Sequence, residues 1–372
     1  MVREKKRLVF VGGGHAHLYS LKHAHRFPPL GVETTLIAPS RHHYYSGMGP
    51  GMLSGTYEPE QIRFDVKALI ESGGGDFVKG KVDSIDPEKR MLILESGERI
   101  DYDFVSFNVG SRVVLEGISG AKDFAFAVKP IENLENIRKA VLDTMRKGAP
   151  KICVIGGGPA GVELAGNIWR LVQENQGRAD IAVVNSGDRL LPAFHQRARR
   201  LARKSLTKRG IRILDNFRVQ SIDRKAVVSR SDTRLDCDVA VLATGVVPPT
   251  IFARSGLRTS EDGALLVSAY LQSVEYPEIF GGGDCITVEG HPFRRIGVYA
   301  VRQAPILFQN LLSYRTARPV KPFRSRRNYG LIMNMGDGRG IYAGKYLVWS
   351  GRLAFRLKHR IDTRFMSQFR LP

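Results

Sequence analysis

Residues 8–20 read Leu-Val-Phe-Val-Gly-Gly-Gly-His-Ala-His-Leu-Tyr-Ser, and the fold turns on how they are taken. Four apolar residues, Leu8 to Val11, suit a buried strand, and the glycines after them suit a sharp turn into a helix. A strand that passes through a glycine turn into a helix gathers backbone N–H groups and the positive end of the helix dipole at one point. That point favours a pyrophosphate. Gly12 permits the tight turn and Gly14 lets a phosphate approach the backbone, while His17 holds the third place of the Gly-x-Gly-x-x-Gly pattern. Residues 151–166, Lys-Ile-Cys-Val-Ile-Gly-Gly-Gly-Pro-Ala-Gly-Val-Glu-Leu-Ala-Gly, form a second copy with Gly156, Gly158 and Gly161 in all three places. Two such loops imply one chain holding two dinucleotides.

Composition sets the bounds. A chain of 372 residues accommodates two or three domains, and 43% hydrophobic with 25% charged residues is ordinary for a globular protein. The net charge of +21 is not ordinary; it attracts nucleic acid, acidic lipid or anionic cofactors. Residues 315–372 hold 14 Lys and Arg against only Asp337 and Asp362, with no recognisable nucleic-acid module, so no nucleic-acid partner is expected. Cys153, Cys237 and Cys285 form no Cys-x-x-Cys pair or zinc spacing. His42 and His43 lack a third ligand at a suitable distance in sequence, so no metal is expected. Few cysteines suit a reducing cytosol. The apolar run after the basic start is too short for a secretory signal. No stretch reaches the roughly 18 apolar residues that cross a bilayer.

Along the chain, residues 15–26 suit a helix and 34–38 a second parallel strand. The acidic residue that often ends this strand and binds ribose is replaced by Ala38-Pro39-Ser40, which leaves Ser40, Arg41 or the backbone for that contact. Residues 41–55, dense in Tyr, Met and Gly, read as an aperiodic loop under a cofactor. Residues 76–86, 90–94 and 99–103 predict a small antiparallel sheet, 104–110 a buried strand ending in glycine, and 130–147 an amphipathic helix. In the second unit Pro159 opens a helix to about Glu174, and 180–185 is a strand. Asn185 stands at its acidic ribose position, and Arg189 four residues on leaves room for a 2′-phosphate. Residues 193–208 predict a basic helix with a solvated face. The strand 239–245 returns the chain to the first domain, and residues 276–285 end a short strand in glycines and Asp284, a carboxylate placed to accept from a polyol. Residues 298–312 predict a helix, and 331–335 and 341–343 short strands. Then Trp349, Leu353, Leu357, Ile361, Phe365 and Phe369 recur every fourth residue among Arg352, Arg356, Lys358, Arg360, Arg364 and Arg370, as in a helix lying on an anionic membrane surface.

Together the two glycine loops, Ala243-Thr244-Gly245 and the Ile279-Phe280-Gly281-Gly282-Gly283-Asp284 box resemble the two-dinucleotide flavoproteins, the pyridine nucleotide-disulfide oxidoreductase-like family, over nearly the whole chain. The tail is similar to those of type II NADH dehydrogenases and sulfide:quinone reductases. The Gly-Gly-Gly-His-Ala-His start, the Tyr45-Ser46-Gly47-Met48 loop and Ala300-Val301-Arg302-Gln303 resemble a bacterial NADH-dehydrogenase-like branch. The resemblance implies an α/β fold with two Rossmann-like, glutathione reductase-type domains and a small basic C-terminal region. It implies a discontinuous FAD domain at 1–115 and 246–325, an inserted NAD(P)H domain at 116–245, and a membrane-surface region at 326–372.

It also implies roles. Gly12 and Gly14 hold the FAD pyrophosphate and Asp284 its ribityl chain; Gly156, Gly158 and Gly161 hold the nicotinamide cofactor, NADH or NADPH. Further cofactor contacts are expected at His15, Ser40, Arg41, Val82, Gly110, Asn185 and Gly245. Glu163 lies near the flavin and nicotinamide, and Gln303 on the quinone side, beside Arg302 where the family usually has Gln. The expected function is FAD-dependent NAD(P)H dehydrogenation with a quinone-type acceptor, peripheral on the cytoplasmic face of the inner membrane, with room for a homodimer. A sulfide:quinone reductase and a non-turnover flavin sensor are the rivals. No cysteine precedes Cys153, which disfavours a disulfide reductase with its Cys pair in the first domain, and the cysteine positions do not suit the flavin-flanking pair of a sulfide:quinone reductase.

Overall fold

The computed structural model describes residues 5–291, 295–324 and 330–371. Two all-parallel sheets of five strands share one plan. In the first the order is Ile279–Gly281, Phe104–Phe107, Lys6–Val11, Val32–Ala38, Asp76–Lys79. In the second it is Ala125–Ala127, Val239–Leu242, Lys151–Ile155, Asp180–Val184, Arg212–Leu214. Each glycine loop leaves the central strand of its sheet. The strands read as unbroken apolar runs because parallel sheets bury both faces: Leu8 to Val11 and Ile152 to Ile155 are all buried. Only the edge strand differs in origin. The first sheet takes it from the returning chain, the second from the outgoing one.

Each sheet carries a three-stranded antiparallel appendage: Val82–Asp86, Met91–Leu94 and Arg99–Asp101 in the first unit, and Val219–Ile222, Ala226–Ser229 and Arg234–Asp236 in the second. The two crossings between units pair with each other, Arg112–Val113 antiparallel to Val246–Val247. The Thr244 hydroxyl donates to the Val114 carbonyl at 2.9 Å and reinforces this hinge.

Several expectations need correction. The segment 76–86 is not one strand: Asp76–Lys79 joins the parallel sheet beside Val32–Ala38, and Gly80 separates it from the antiparallel appendage. The first helix ends at Lys22, and short 3₁₀ turns at Ala24–Arg26 and Pro28–Leu30 carry the chain to the next strand. Residues 41–55 are not aperiodic: His42–Tyr44 pairs with Arg63–Asp65, and Gly49–Leu53 is a buried helical turn with Pro50 in its first turn. The basic helix runs Gln196–Thr207 and buries Ala198, Ala202 and Leu206, with its arginines and lysines largely outward.

The tail is a third layer. Leu331–Asn334, Gly340–Ala343 and Val348–Gly351 form an antiparallel sheet, followed by the helix Arg352–Ser367. The apolar residues spaced by four do not share one face. Trp349 lies on the last strand and stacks on Tyr342. On a helix of 3.6 residues per turn a step of four drifts by about 40°. Leu353 (67% exposed), Leu357 (40%) and Ile361 (52%) therefore face solvent, whereas Phe365 and Phe369 rotate inward onto Phe64. Arg326 and Arg327, counted above in the basic tail, lie outside the described residues.

Candidate active site

Asn108, a residue the sequence reading passed over, builds the first loop. It follows the strand Phe104–Phe107, and its Oδ1 accepts from Ala16 N at 2.9 Å, satisfying one of the free N–H groups at the start of helix His15–Lys22. Its Nδ2 donates to the Gly282 carbonyl at 2.6 Å. One side chain thus ties the glycine loop to the Gly282–Asp284 box. The same crowding requires glycine: a Cβ at Gly12, where φ is +87°, would lie 2.4 Å from the Asn108 carbonyl oxygen, and one at Gly14 would lie 2.2 Å from its Oδ1. His17, in the third glycine place, is fully buried. Its Nδ1 donates to the Gly12 carbonyl at 2.6 Å, and its Nε2 accepts from the Ser106 hydroxyl at 2.8 Å. Burial pushes its imidazole down to about 4, so it is neutral near pH 7.

Beside this loop two buried nitrogens have no partner among the described residues, His15 Nε2 and Gln303 Nε2; Arg302 Nη1, on the same helix as Gln303, has none either. The other end of the Gln303 amide is fixed, its Oε1 accepting from Gly283 N at 2.6 Å. An unpaired buried polar atom costs roughly 1–3 kcal/mol. Such atoms beside a glycine cradle fit a ligand rich in acceptor oxygens, as FAD is. Asp284 is held at 2.9 Å by Lys129 Nζ and at 2.7 Å by the Ser111 hydroxyl. Neither Lys129 nor Ser111 belongs to a sequence motif, and only the fold brings them to Asp284. Lys129 opens onto a cavity of about 490 Å³ along the outgoing crossing, beside Arg112 and Ala127. Gly110, at φ +70°, has no neighbour where a Cβ would stand. Ser40 and Arg41 are occupied locally: the Ser40 hydroxyl accepts from His42 N, and Arg41 pairs with Asp65. Val82 is buried at the start of its strand, and Gly80 N bonds the Ala38 carbonyl, which brings this segment to the end of the second strand.

The second loop is tighter. Gly156 sits at φ +134°, and a Cβ there would lie 2.2 Å from the Ala243 carbonyl oxygen; one at Gly161 would lie 1.9 Å from the Gly156 carbonyl oxygen. Nothing stands within 4 Å of the Cβ direction of Gly158 or Gly245, so both backbones are open to a ligand. Asn185 is buried against Gly157 and donates to the carbonyls of Gly187 and Arg189.

Both units meet the tail at Glu163. It lies one turn into helix Pro159–Glu174, and its Oε1 accepts from Asn334 N at 2.7 Å. Burial raises its carboxyl to about 7 against the lowering influence of the Lys358 ammonium. Lys358 Nζ donates to the Gly47 carbonyl at 2.7 Å and to Asp362 Oδ2 at 2.8 Å, and Tyr45 OH donates to Asp362 Oδ1 at 3.1 Å. Tyr57 and His359 bond at 3.0 Å with parallel rings. The tail helix is therefore fastened by polar pairs to the loop of the first unit. Gln303 is not part of this cluster; it belongs to the floor of the first loop.

This is the architecture of a two-dinucleotide oxidoreductase. Residues 6–305 match the pyridine nucleotide-disulphide oxidoreductase family, and the chain belongs to it. A ferroptosis suppressor protein 1 from Taeniopygia guttata is 27% identical over 92% of this chain and 91% of its own. A type II NADH:quinone oxidoreductase from Staphylococcus saprophyticus is 23% identical over 98% of this chain and 96% of its own. The solved structure of NDH2 from Plasmodium falciparum in complex with NADH superposes with a TM-score of 0.83 at 16% identity, covering 98% of each chain.

Proposed function

We propose that this oxidoreductase is an FAD-dependent NAD(P)H dehydrogenase that delivers electrons to a quinone. The observation that carries the proposal is Glu163: a carboxyl poised near neutrality where the helix of the second loop, the first unit's Gly49–Leu53 turn and the tail come together. The proposed division is FAD in 1–115 with 246–325, nicotinamide in 116–245, and acceptor and surface contacts through 326–372. Gly12, Gly14 and His15 take the FAD pyrophosphate; Ser40, Arg41 and Val82 its adenosine end; Gly110, Asp284 and the Gln303 amide the ribityl–flavin side. Gly156, Gly158, Gly161 and Gly245 take the nicotinamide dinucleotide. Bound FAD supplies the two-electron chemistry. The chain's task is to position, to exclude water and to manage protons. Reducing a quinone consumes two protons, and Glu163 holds one below about pH 7 within a cluster anchored by Lys358 and Asp362.

The sulfide alternative needs two cysteines flanking the flavin. Cys153 and Cys237 belong to the second unit, and the buried Cys285 thiol donates to the Gly282 carbonyl at 3.3 Å and is pushed up to about 12 by burial. No described helix is long and apolar enough to cross a membrane. Exposed Leu353, Leu357 and Ile361 among exposed Arg352, Arg356, Arg360 and Arg364 support a tail that lies on an anionic lipid surface; the location proposed with it is the cytoplasmic face of the inner membrane. Vesicle flotation tests this directly. The wild type is expected to float with vesicles containing anionic lipid, and Leu353→Ser/Leu357→Ser/Ile361→Ser to lose most of that binding. Equal flotation of both would remove the tail from the account. For the reaction, bleaching of the flavin by NADH or NADPH and its recolouring by a short-chain quinone is the test.

A further inference from the structure

The second loop lacks the group that reads an unphosphorylated ribose. In NADH-selective folds a carboxylate at the end of the second strand takes the ribose 2′-hydroxyl. Here that strand, Asp180–Val184, is followed by Asn185, and the amide is used up inside the protein. Its Nδ2 donates to the Gly187 carbonyl at 3.0 Å, the Arg189 carbonyl at 2.8 Å and Asp215 Oδ1 at 3.2 Å, while its Oδ1 packs over Gly157. Asn185 shapes the turn and leaves the sugar to its neighbours.

Two carboxylates stand nearby, and each already has an arginine. Asp215, at the end of the next strand, pairs with Arg203 of helix Gln196–Thr207. Asp188 is gripped by the Arg189 guanidinium through both oxygens, and Arg199 on the same helix holds its carboxyl further below the usual range. Backbone bonds from Asn216 N to the Gly187 carbonyl and from Phe217 N to the Asn185 carbonyl close the two turns on each other, and Leu191 N bonds the Gly157 carbonyl, folding the arginine-bearing turn against the glycine loop. Arg189, Arg199 and Arg203 thus outnumber Asp188 and Asp215 at this edge. Ser186, exposed, offers a hydroxyl in the same turn. An exposed ion pair is weak, so a dianionic phosphate can take the Arg189 fork from Asp188 at little expense and gain a charge-assisted bidentate contact.

We propose that Ser186, Arg189 and Arg199 form a 2′-phosphate subsite, and that the second loop takes NADPH in preference to NADH. This rests on the reading of that loop as a nicotinamide dinucleotide site. Fragments of the two coenzymes test it without turnover. Adenosine 2′,5′-bisphosphate and adenosine 5′-monophosphate are titrated calorimetrically into the full flavin-loaded chain at low salt. The bisphosphate is expected to bind at least about tenfold tighter, equivalent to about 1.4 kcal/mol, with an advantage that shrinks as salt is added. Arg189→Leu/Arg199→Leu is expected to cut that advantage below about threefold, and Arg189→Lys to keep part of it; circular dichroism and flavin content confirm that each variant is folded. If the double variant does not fold, Arg199→Leu alone must lower the ratio. Equal or tighter binding of the monophosphate overturns the preference while leaving the second loop a nucleotide site. Binding of neither overturns both.

Discussion

The two glycine loops occupy the same place in the same strand order, yet they close differently. The second closes by contact: Gly161 lies so near the Gly156 carbonyl that a methyl group would overlap it at 1.9 Å. The first closes by hydrogen bonding: His17 fills the third glycine place and donates from its ring to the Gly12 carbonyl at 2.6 Å, with Ser106 donating to the other ring nitrogen. The third glycine is therefore a way to finish a turn, and a buried neutral imidazole is another. The second solution makes the loop sensitive to acid, since the ring must stay uncharged.

The sharpest break of this comparison is Gly12→Ala. Its Cβ would strike a backbone carbonyl that cannot move aside, at a φ of +87°. The purified variant is expected to hold less than about a tenth of the wild-type flavin, a loss of more than 1.4 kcal/mol in binding, read by absorbance after denaturation. Gly161→Ala should do the converse: full flavin content, but reduction by NADH or NADPH in stopped flow slower by about 100-fold or more, a loss near 2.7 kcal/mol. If the two variants failed identically, the loops would not have separate cofactors.

His17→Gly, read as stability and not as cofactor binding or rate, gives the first loop the residue of the second. It leaves the Gly12 carbonyl and the Ser106 hydroxyl unpaired and a void in the core. A destabilisation of about 2–4 kcal/mol in urea unfolding at pH 7 is expected. It should also flatten the acid response. His15 and His17 both lie at about 4 in the fold, against 6.5 when unfolded, chiefly because burial disfavours their charged forms. Between those values the unfolded chain binds protons that the folded chain excludes. Stability is full above about pH 6.5 and declines as pH falls toward 4, by about 2.7 kcal/mol per unit for the two rings together. The variant should lose about half of that slope.

The smallest expected effect concerns what the loops share. With Glu163 near 7, its proton is present below that pH and gone above it. Quinone reduction is expected to slow above pH 7 in the wild type. Glu163→Gln should be slower by about tenfold at pH 6 and show no inflection near 7. An unchanged profile would leave the glutamate a structural partner of Asn334.

Much of this was legible because backbone chemistry leaves a pattern. Glycines required at the turns, apolar runs that fill a parallel sheet, and the Asp284 box are all local signals, and each glycine loop does run from a central strand into a helix. What was hidden depends on distant pairings. Asn108 looks like any polar residue after a strand until Ala16 and Gly282 arrive from 92 and 174 residues away. Lys129 meets Asp284 only through the interleaving of the units. The tail misled for a geometric reason: a spacing of four is not the helical period, so a single stripe in sequence became an exposed edge at Leu353–Leu357–Ile361 and a buried one at Phe365 and Phe369.

The central claim is that two dinucleotides serve one electron path through this chain. Anaerobic stopped flow tests it most directly: the flavin-loaded protein is mixed with NADPH or NADH, and the bleached flavin is then mixed with a short-chain quinone. Bleaching within seconds, recolouring by the quinone, and loss of only the first step in Gly161→Ala is the expected result. A flavin that neither coenzyme bleaches, or one that bleaches equally fast in Gly161→Ala, would contradict the account.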